Sequence, residues 1–335
     1  MFEWKKLGPI FNPVEYQGRS WMHEYAQAPS VLVLDHALRV FFSSRPRPDP
    51  NGQFISRLGY IDLDKADLFK IKSICAEPIL PLGATGEFDE FGTYPVSTAR
   101  SGTEIRAYYA GWTRCESVPF NAAIGLAVSQ DDGATFTRKG CGPVLSYTPD
   151  EPFVLGSPKI RRFGDTWYLW YSSGRQWIKG GGRPEPVYKI RMAHSRDGIE
   201  WEKVGRNLLD DVLEENECQA GADVFHLDGK YHMLFSYRCN LNFRDAGRGY
   251  RTGYAFSGDL LHWTRADHRA GLTTSPAGWD SESVSYPHVF ELNRQLYALY
   301  QGNEIGRFGF GLARLERYEE EDGHRPPSCD KTVAR

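Results

Sequence analysis

The strongest constraint on this 335-residue chain is a unit of about 64 residues that recurs five times. Its landmark is a proline, or a stand-in, opening an apolar run: Pro29, Pro95, Pro158, Ala222 and Pro287, spaced 66, 63, 64 and 65 residues apart. After each landmark come a strand-like run, a turn and an aromatic strand, as in residues 31–44, 160–173, 224–237 and 289–302. Alternating apolar and polar residues, rich in β-branched and aromatic types and broken by Gly, Asp and Asn, predict hairpins. A third strand follows, then a turn with an aromatic behind it: Ser129 to Gly133 before Phe136, Ser195 to Gly198 before Trp201, and Ser257 to Asp259 before Trp263. The first unit carries a degenerate copy from Asp62 to Phe69. Four strands per unit and five units predict an all-β chain folded as a five-bladed β-propeller.

The fifth unit runs out after its third strand, residues 308–316, while Trp4-Lys-Lys-Leu-Gly8 repeats the pattern of Trp201-Glu-Lys-Val-Gly205. The N-terminal segment is therefore expected to supply the outer strand of the last blade, closing the ring without a long open sheet edge. One closed ring predicts one domain over residues 1–318, followed by a polar, proline-bearing and mobile tail, 319–335.

Composition narrows the function classes. A net charge of −3 gives no reason to expect nucleic acid as a partner. The six cysteines have no metal-ligand spacing, the histidines form no HxH or HExxH pattern, and the N-terminus lacks the apolar core of a signal peptide. The expectation is a cytoplasmic protein away from membranes, with no metal and no cofactor.

In a propeller the inner strands converge on an axis and their loops form a funnel, the usual ligand site. Five residues before the landmark stand Glu24, Glu90, Glu217 and Glu282, with Phe153 in the third unit. Two readings compete: a repeated structural hydrogen bond, or two or three carboxylates facing the funnel as acid and base, as glycosyl transfer requires. One residue past the landmark, Lys159, Asp223 and His288 occupy three adjacent blades where Ser30 and Val96 stand in the others. They are either a closed polar network or ligand contacts. At the end of the second strand come Arg45, Trp112, Arg175 and Arg238. Arginine grips carboxylate or phosphate in two-pronged fashion, and tryptophan stacks on a sugar face. The Ser-x-Asp-Gly turns have the residues of tight rim turns and are read as structural.

The proline-bearing inner strand, the YLWYSSG-like second strand and the SxDGxxW outer turn resemble the five-bladed propellers of glycoside hydrolase families 43, 32 and 130, over residues 4 to about 316. The resemblance implies a carbohydrate-active protein with its site in the axial funnel. It also marks three positions where families 43 and 32 place carboxylates, and this chain has Ala28, Tyr94 and Gly156 there. The arginines suit family 130, whose phosphorylases hold phosphate with basic residues.

The leading expectation is an enzyme cleaving or transferring a glycosidic or sugar-phosphate bond of an anionic sugar: a uronic acid, a sugar phosphate or a nucleotide-linked sugar. Two of Glu24, Glu90, Glu217 and Glu282, with Asp223, would be acid and base, and Glu217 with Glu282 is the preferred pair. Arg45, Arg175, Arg238, Lys159 and His288 would hold the charge, and Tyr94, Trp112 and Tyr286 the sugar. The rivals are a catalytically silent propeller that binds a glycan or a protein, and an enzyme of different chemistry on a nucleotide-linked sugar.

Overall fold

The computed structural model describes residues 1–16, 18–180 and 183–319, so the expected tail lies, from residue 320 on, outside the described residues. The chain begins with β1 (Phe2–Phe11). Blade one follows as β2 (Glu24–Val33), β3 (Leu38–Arg45), β4 (Arg57–Leu63) and β5 (Ile71–Ile74), and blade two as β6 (Thr93–Ser101), β7 (Glu104–Thr113), β8 (Asn121–Ser129) and β9 (Thr137–Arg138). Blade three is β10 (Leu155–Phe163), β11 (Thr166–Gly180), β12 (Arg183–Ser195) and β13 (Glu202–Lys203), and blade four is β14 (Cys218–Leu227), β15 (Lys230–Arg238), β16 (Arg251–Ser257) and β17 (Thr264–Arg265). Blade five has β18 (Ser285–Leu292), β19 (Gln295–Gln301) and β20 (Phe310–Tyr318). The five sheets are four-stranded, and the fifth has the order β1-β20-β19-β18.

The N-terminus thus closes the ring as expected. Trp4 pairs with Leu315 and Gly8 with Leu312 in an antiparallel ladder. Phe2, Trp4 and Phe11 are buried, and the Trp4 indole donates to the Ala270 carbonyl at 3.1 Å. In blade one the outer strand is β5; the Asp62 to Phe69 segment expected to resemble the outer turn is the end of β4 and the tight turn after it.

The landmark residues do not open the inner strands. They lie inside them, at a break in register present in every blade, between Gln27 and Ser30, Thr93 and Val96, Gly156 and Lys159, Ala220 and Asp223, and Ser285 and His288. In four blades the residue before the landmark has a positive φ: Ala28 (49°), Ser157 (48°), Gly221 (61°) and Tyr286 (50°). A bulge of this kind bends the strand and re-aims side chains. Only Gly221 adopts that conformation cheaply, so Ala28, Ser157 and Tyr286 are held by their surroundings.

The core lies between blades. Trp170, Ile190 and Met192 of blade three pack with Val224, Met233 and Phe235 of blade four. Within blade four, Gly253 of β16 pairs with Phe235 of β15 and makes room for its ring, since a Cβ there would lie 2.4 Å from it.

A chain lacking residues 2–11 loses three core aromatics and leaves β20 as an open edge. It is expected to melt at lower temperature and to aggregate on size-exclusion chromatography. A monomeric truncation with unchanged melting would show that the ring does not depend on this strand.

Candidate functional site

At one end of the axis the loops enclose a funnel of about 1960 Å³. Its lining includes Gln27, Tyr94, Gly156, Ser157, Ser172, Tyr188, Tyr250 and Tyr286, walls with Tyr25, Phe54, Phe91, Trp112 and Phe120, and the guanidinium groups of Arg45, Arg238 and Arg251. Ala28, Tyr94, Ala220, Tyr250 and Tyr286 form one buried cluster, with Trp112 and Tyr188 against it. Two of the three positions marked by the family resemblance, Tyr94 and Gly156, line the funnel.

Of the four repeated glutamates, only Glu282 lines the funnel, and it is exposed. The preferred pair with Glu217 is not assembled. Glu217 is fully buried and accepts from Arg265 Nη1 at 2.7 Å, the Val212 and Leu213 amides at 3.2 and 3.1 Å, and Gln219 Nε2 at 3.0 Å. A carboxylate with that many donors is committed to holding its loop. Glu24 pairs with Arg307 at 2.8 Å, and Glu90 accepts from the Gly86 amide at 2.9 Å.

The acid that repeats in the structure is Asp89, Glu151, Glu217 and Asp280 in blades two to five. Each is buried and pairs with a cation on the outer strand of its own blade: Arg138 at 2.7 Å, Lys203 at 2.8 Å, Arg265 at 2.7 Å and Lys6 at 2.6 Å. Tyr109, Tyr171 and Tyr300 donate their hydroxyls to Asp89, Glu151 and Asp280, and burial together with the adjacent carboxylate pushes all three phenols up. In blade four Arg265 instead lies over the Tyr237 ring, 4.5 Å from its centroid. Blade one substitutes Arg19 and Trp21, which donate to the carbonyls of Cys75 and Ala76. The sequence carries a signal for this: the cation stands two residues after the outer aromatic, in Trp4-Lys-Lys6, Phe136-Thr-Arg138, Trp201-Glu-Lys203 and Trp263-Thr-Arg265.

Lys159, Asp223 and His288 do come together, but none lines the funnel. They lie two residues beyond the floor along their inner strands and are nearly inaccessible. The Asp223 carboxylate takes Arg161 at 2.8 Å, His288 Nδ1 at 3.2 Å, Lys159 at 3.8 Å and the Val289 amide at 2.7 Å. Burial alone would raise its pKa, yet Arg161, His288 and Lys159 hold it far below the carboxylate range. Burial lowers Lys159 to about 8 against the pull of Asp223, and lowers His288 to about 4. His288 Nδ1 lies between Asp223 Oδ1 at 3.2 Å and Lys159 Nζ at 3.3 Å, and its buried Nε2 has no hydrogen-bond partner. The closed network is the better description of these three residues, and Asp223 is not available as acid or base.

The arginines divide. Arg175 is turned to the Asp150 carbonyl and does not line the funnel, whereas Arg45 and Arg238 do. Arg45 lies over Tyr25 and Phe54, 4.4 and 5.1 Å from their centroids, and its buried Nε has no hydrogen-bond partner. Arg238 is 3% exposed and stacks 3.7 Å from the Phe243 centroid. Its Nη1 donates to the Cys239 and Asn240 carbonyls at 2.8 and 2.9 Å, and its Nε and Nη2 donate to the Tyr188 hydroxyl at 3.2 and 3.0 Å. Among the described residues no carboxylate pairs with either. Trp112 is pinned through its indole N–H to the Tyr94 carbonyl at 2.7 Å and packs on Phe120, 4.2 Å between centroids. Tyr188 and Tyr250, whose hydroxyls touch, are floor residues that the sequence reading missed.

The chain is 37% identical over 313 residues to the uncharacterized protein Rv1502 of Mycobacterium tuberculosis, covering 93% of this chain and 99% of that one. The chain belongs to that protein's family. It is also 25% identical over 257 residues, 74% of this chain and 78% of the relative, to a 1,2-beta-oligomannan phosphorylase of Thermoanaerobacter sp. strain X514. Among solved structures, a glycoside hydrolase superposes with a TM-score of 0.73 at 15% identity over 97% of this chain and 95% of its own. A family 130 structure, from work on mannoside phosphorylases and hydrolases, gives 0.69 at 14% identity over 94% of each. At such identities these structures attest the fold. No protein-family model matches the chain. Among the described residues no helix is long and apolar enough to cross a membrane.

Two outcomes follow from this geometry. Glu217→Ala leaves the Val212, Leu213 and Gln219 donors without their acceptor and Arg265 with Asp267 as its remaining carboxylate partner, and is expected to cost about 1–3 kcal/mol of stability, the scale for buried donors left unsatisfied, with ligand binding in the funnel unchanged; urea unfolding and calorimetry check both. His288, lowered from 6.5 to about 4, contributes stability that is full above 6.5 and is lost as pH falls through 4. Replacing it with Asn should flatten the fall in melting temperature across that interval.

Proposed function

We propose that the protein transfers a glycosyl group between an oligosaccharide and phosphate in the axial funnel. The observation that carries this reading is Arg238: a guanidinium 3% exposed, lining a sugar-sized funnel, with no carboxylate to balance it among the described residues. A buried charge without a counter-charge is costly, and a bound anion offsets that cost. Arg45 and Arg251 line the same cavity, whose lining also carries Glu116, Glu185, Asp245, Asp267, Glu282 and Glu304, and Tyr25, Trp112 and Phe120 offer faces for sugar rings.

Phosphorolysis also fits what the floor lacks. A hydrolase of the usual kind needs one carboxylate to activate water or attack carbon and a second to protonate the leaving group. Phosphate brings its own negative charge and oxygen nucleophile, so a general base is dispensable and one proton donor suffices. The bond from the anomeric carbon to the glycosidic oxygen breaks, a bond to a phosphate oxygen forms, and the leaving oxygen takes a proton. The oligomannan phosphorylase relative supports β-1,2-linked mannosides as the first substrates to offer.

A glycan- or protein-binding propeller without turnover is the second reading, favoured by the commitment of Glu217 and Asp223 to internal partners. Incubation with inorganic phosphate and a panel of β-linked oligosaccharides, including β-1,2-mannobiose, is expected to release a sugar 1-phosphate. Arg238→Ala should weaken phosphate binding by about 1.5–3 kcal/mol, the worth of a charged hydrogen bond. Binding of oligosaccharide without any sugar phosphate formed would favour the silent propeller. Tighter binding of a uronide or a nucleoside diphosphate sugar than of phosphate would move the anion onto the sugar itself.

A further inference from the structure

We infer that Tyr250 is the proton donor of the reaction proposed above, on which this role rests. Arg238 donates both Nε–H and Nη2–H to the Tyr188 hydroxyl oxygen, at 3.2 and 3.0 Å. A phenolic oxygen has two acceptor sites and one hydrogen to give. With both sites of Tyr188 filled, its own hydrogen goes to the group it touches, the Tyr250 hydroxyl. Tyr250 is then an acceptor in that contact, and its own hydrogen is left to point elsewhere. Tyr250 lines the funnel in a buried cluster with Tyr94 and Tyr286 that holds no carboxylate, the acids of the lining such as Glu185, Asp267 and Glu282 lying outside that cluster, so that hydrogen is the one the relay directs toward a bound sugar.

The same chain of bonds readies Tyr250 to part with the proton. A phenolate on Tyr250 would accept from the Tyr188 O–H, which stays anchored by the buried Arg238 charge, 5.3 Å from the Tyr250 ring centroid. The alkoxide of a departing sugar is a stronger base than a phenolate, so transfer runs downhill as the glycosidic bond opens. Hydrogen phosphate dianion attacks the anomeric carbon, the glycosidic C–O bond breaks, and the Tyr250 proton moves to the leaving oxygen. The proton still carried by the new sugar phosphate then returns to the phenolate, so the protein ends as it began. Tyr188 is a positioning residue in this scheme, since it acts through Tyr250.

The test separates a proton donor from a merely packed tyrosine. Tyr250→Phe keeps the ring, and is expected to lower kcat by roughly 10²–10⁴, the range for general acid catalysis, on the β-mannoside with a sugar leaving group. On a dinitrophenyl β-mannoside, whose leaving group needs no proton, the loss should be within about threefold of wild type, since no acid step remains. Tyr188→Phe should lower kcat on the β-mannoside with a sugar leaving group while KM for phosphate changes little, and should leave the dinitrophenyl substrate nearly unaffected. Equal losses on both leaving groups, or full activity of Tyr250→Phe on the natural linkage, would overturn the role of Tyr250 and leave phosphorolysis standing. A wild-type protein that forms no sugar phosphate from any substrate would remove the phosphorolysis reading, and this role with it.

Discussion

An ion pair repeated around the ring holds everything else in place. In blades two to five a buried carboxylate in the loop entering the blade meets a cation on that blade's outermost strand, and in three of them a second-strand tyrosine completes the contact. The pair joins the loop that enters a blade to that blade's outermost strand, so it fixes the entry loop relative to the periphery. That loop feeds the inner strand, and the inner strand carries the bulge whose residues form the funnel floor. Burying such a pair is not in itself a source of stability, because both ions lose their water. Its effect is on geometry: a carboxylate with several donors tolerates few alternative loop positions.

The ring and its closure were legible because they rest on periodicity. Trp4 and Trp201 sit in like surroundings in sequence, and pairing follows from that likeness. The acids were legible in kind but not in place. Counting back five residues from the landmark finds Glu217 in blade four, yet it lands on Glu90 beside Asp89, on Phe153 beyond Glu151, and on Glu282 beyond Asp280. The entry loops differ in length by a residue or two, and one residue in an irregular segment decides whether a side chain faces the interior. Counting forward from the outer aromatic would have avoided the slip, since a strand keeps its register.

The tyrosines of the floor were hidden for a different reason. Tyr188 and Tyr250 are 62 residues apart, close to the repeat, but Tyr188 lies inside the long β12 and Tyr250 just before β16, so no shared place in a strand marks them. Their meaning depends on Arg238, which reaches across from the second strand of blade four. Lys159, Asp223 and His288 were grouped correctly as neighbours, but the sequence does not say how deep along the axis a residue lies. A shift of two positions past the bulge carries them from the funnel into a sealed layer, where each charge is answered by another.

Closure by the first strand has a consequence for how the molecule is made. On a ribosome, residues 2–11 emerge roughly 300 residues before their partners in β20, an interval of about 15–60 s at 5–20 residues per second. Throughout synthesis Phe2, Trp4 and Phe11 have no sheet to join, and the nascent ring stays unsealed. Glu3, Lys5 and Lys6 interrupt that apolar segment with charge, which keeps a waiting strand from pairing with the wrong neighbour. Lys6 thus serves the protein twice: as a guard on the growing chain, and afterwards, bound to Asp280, as the latch of the finished circle.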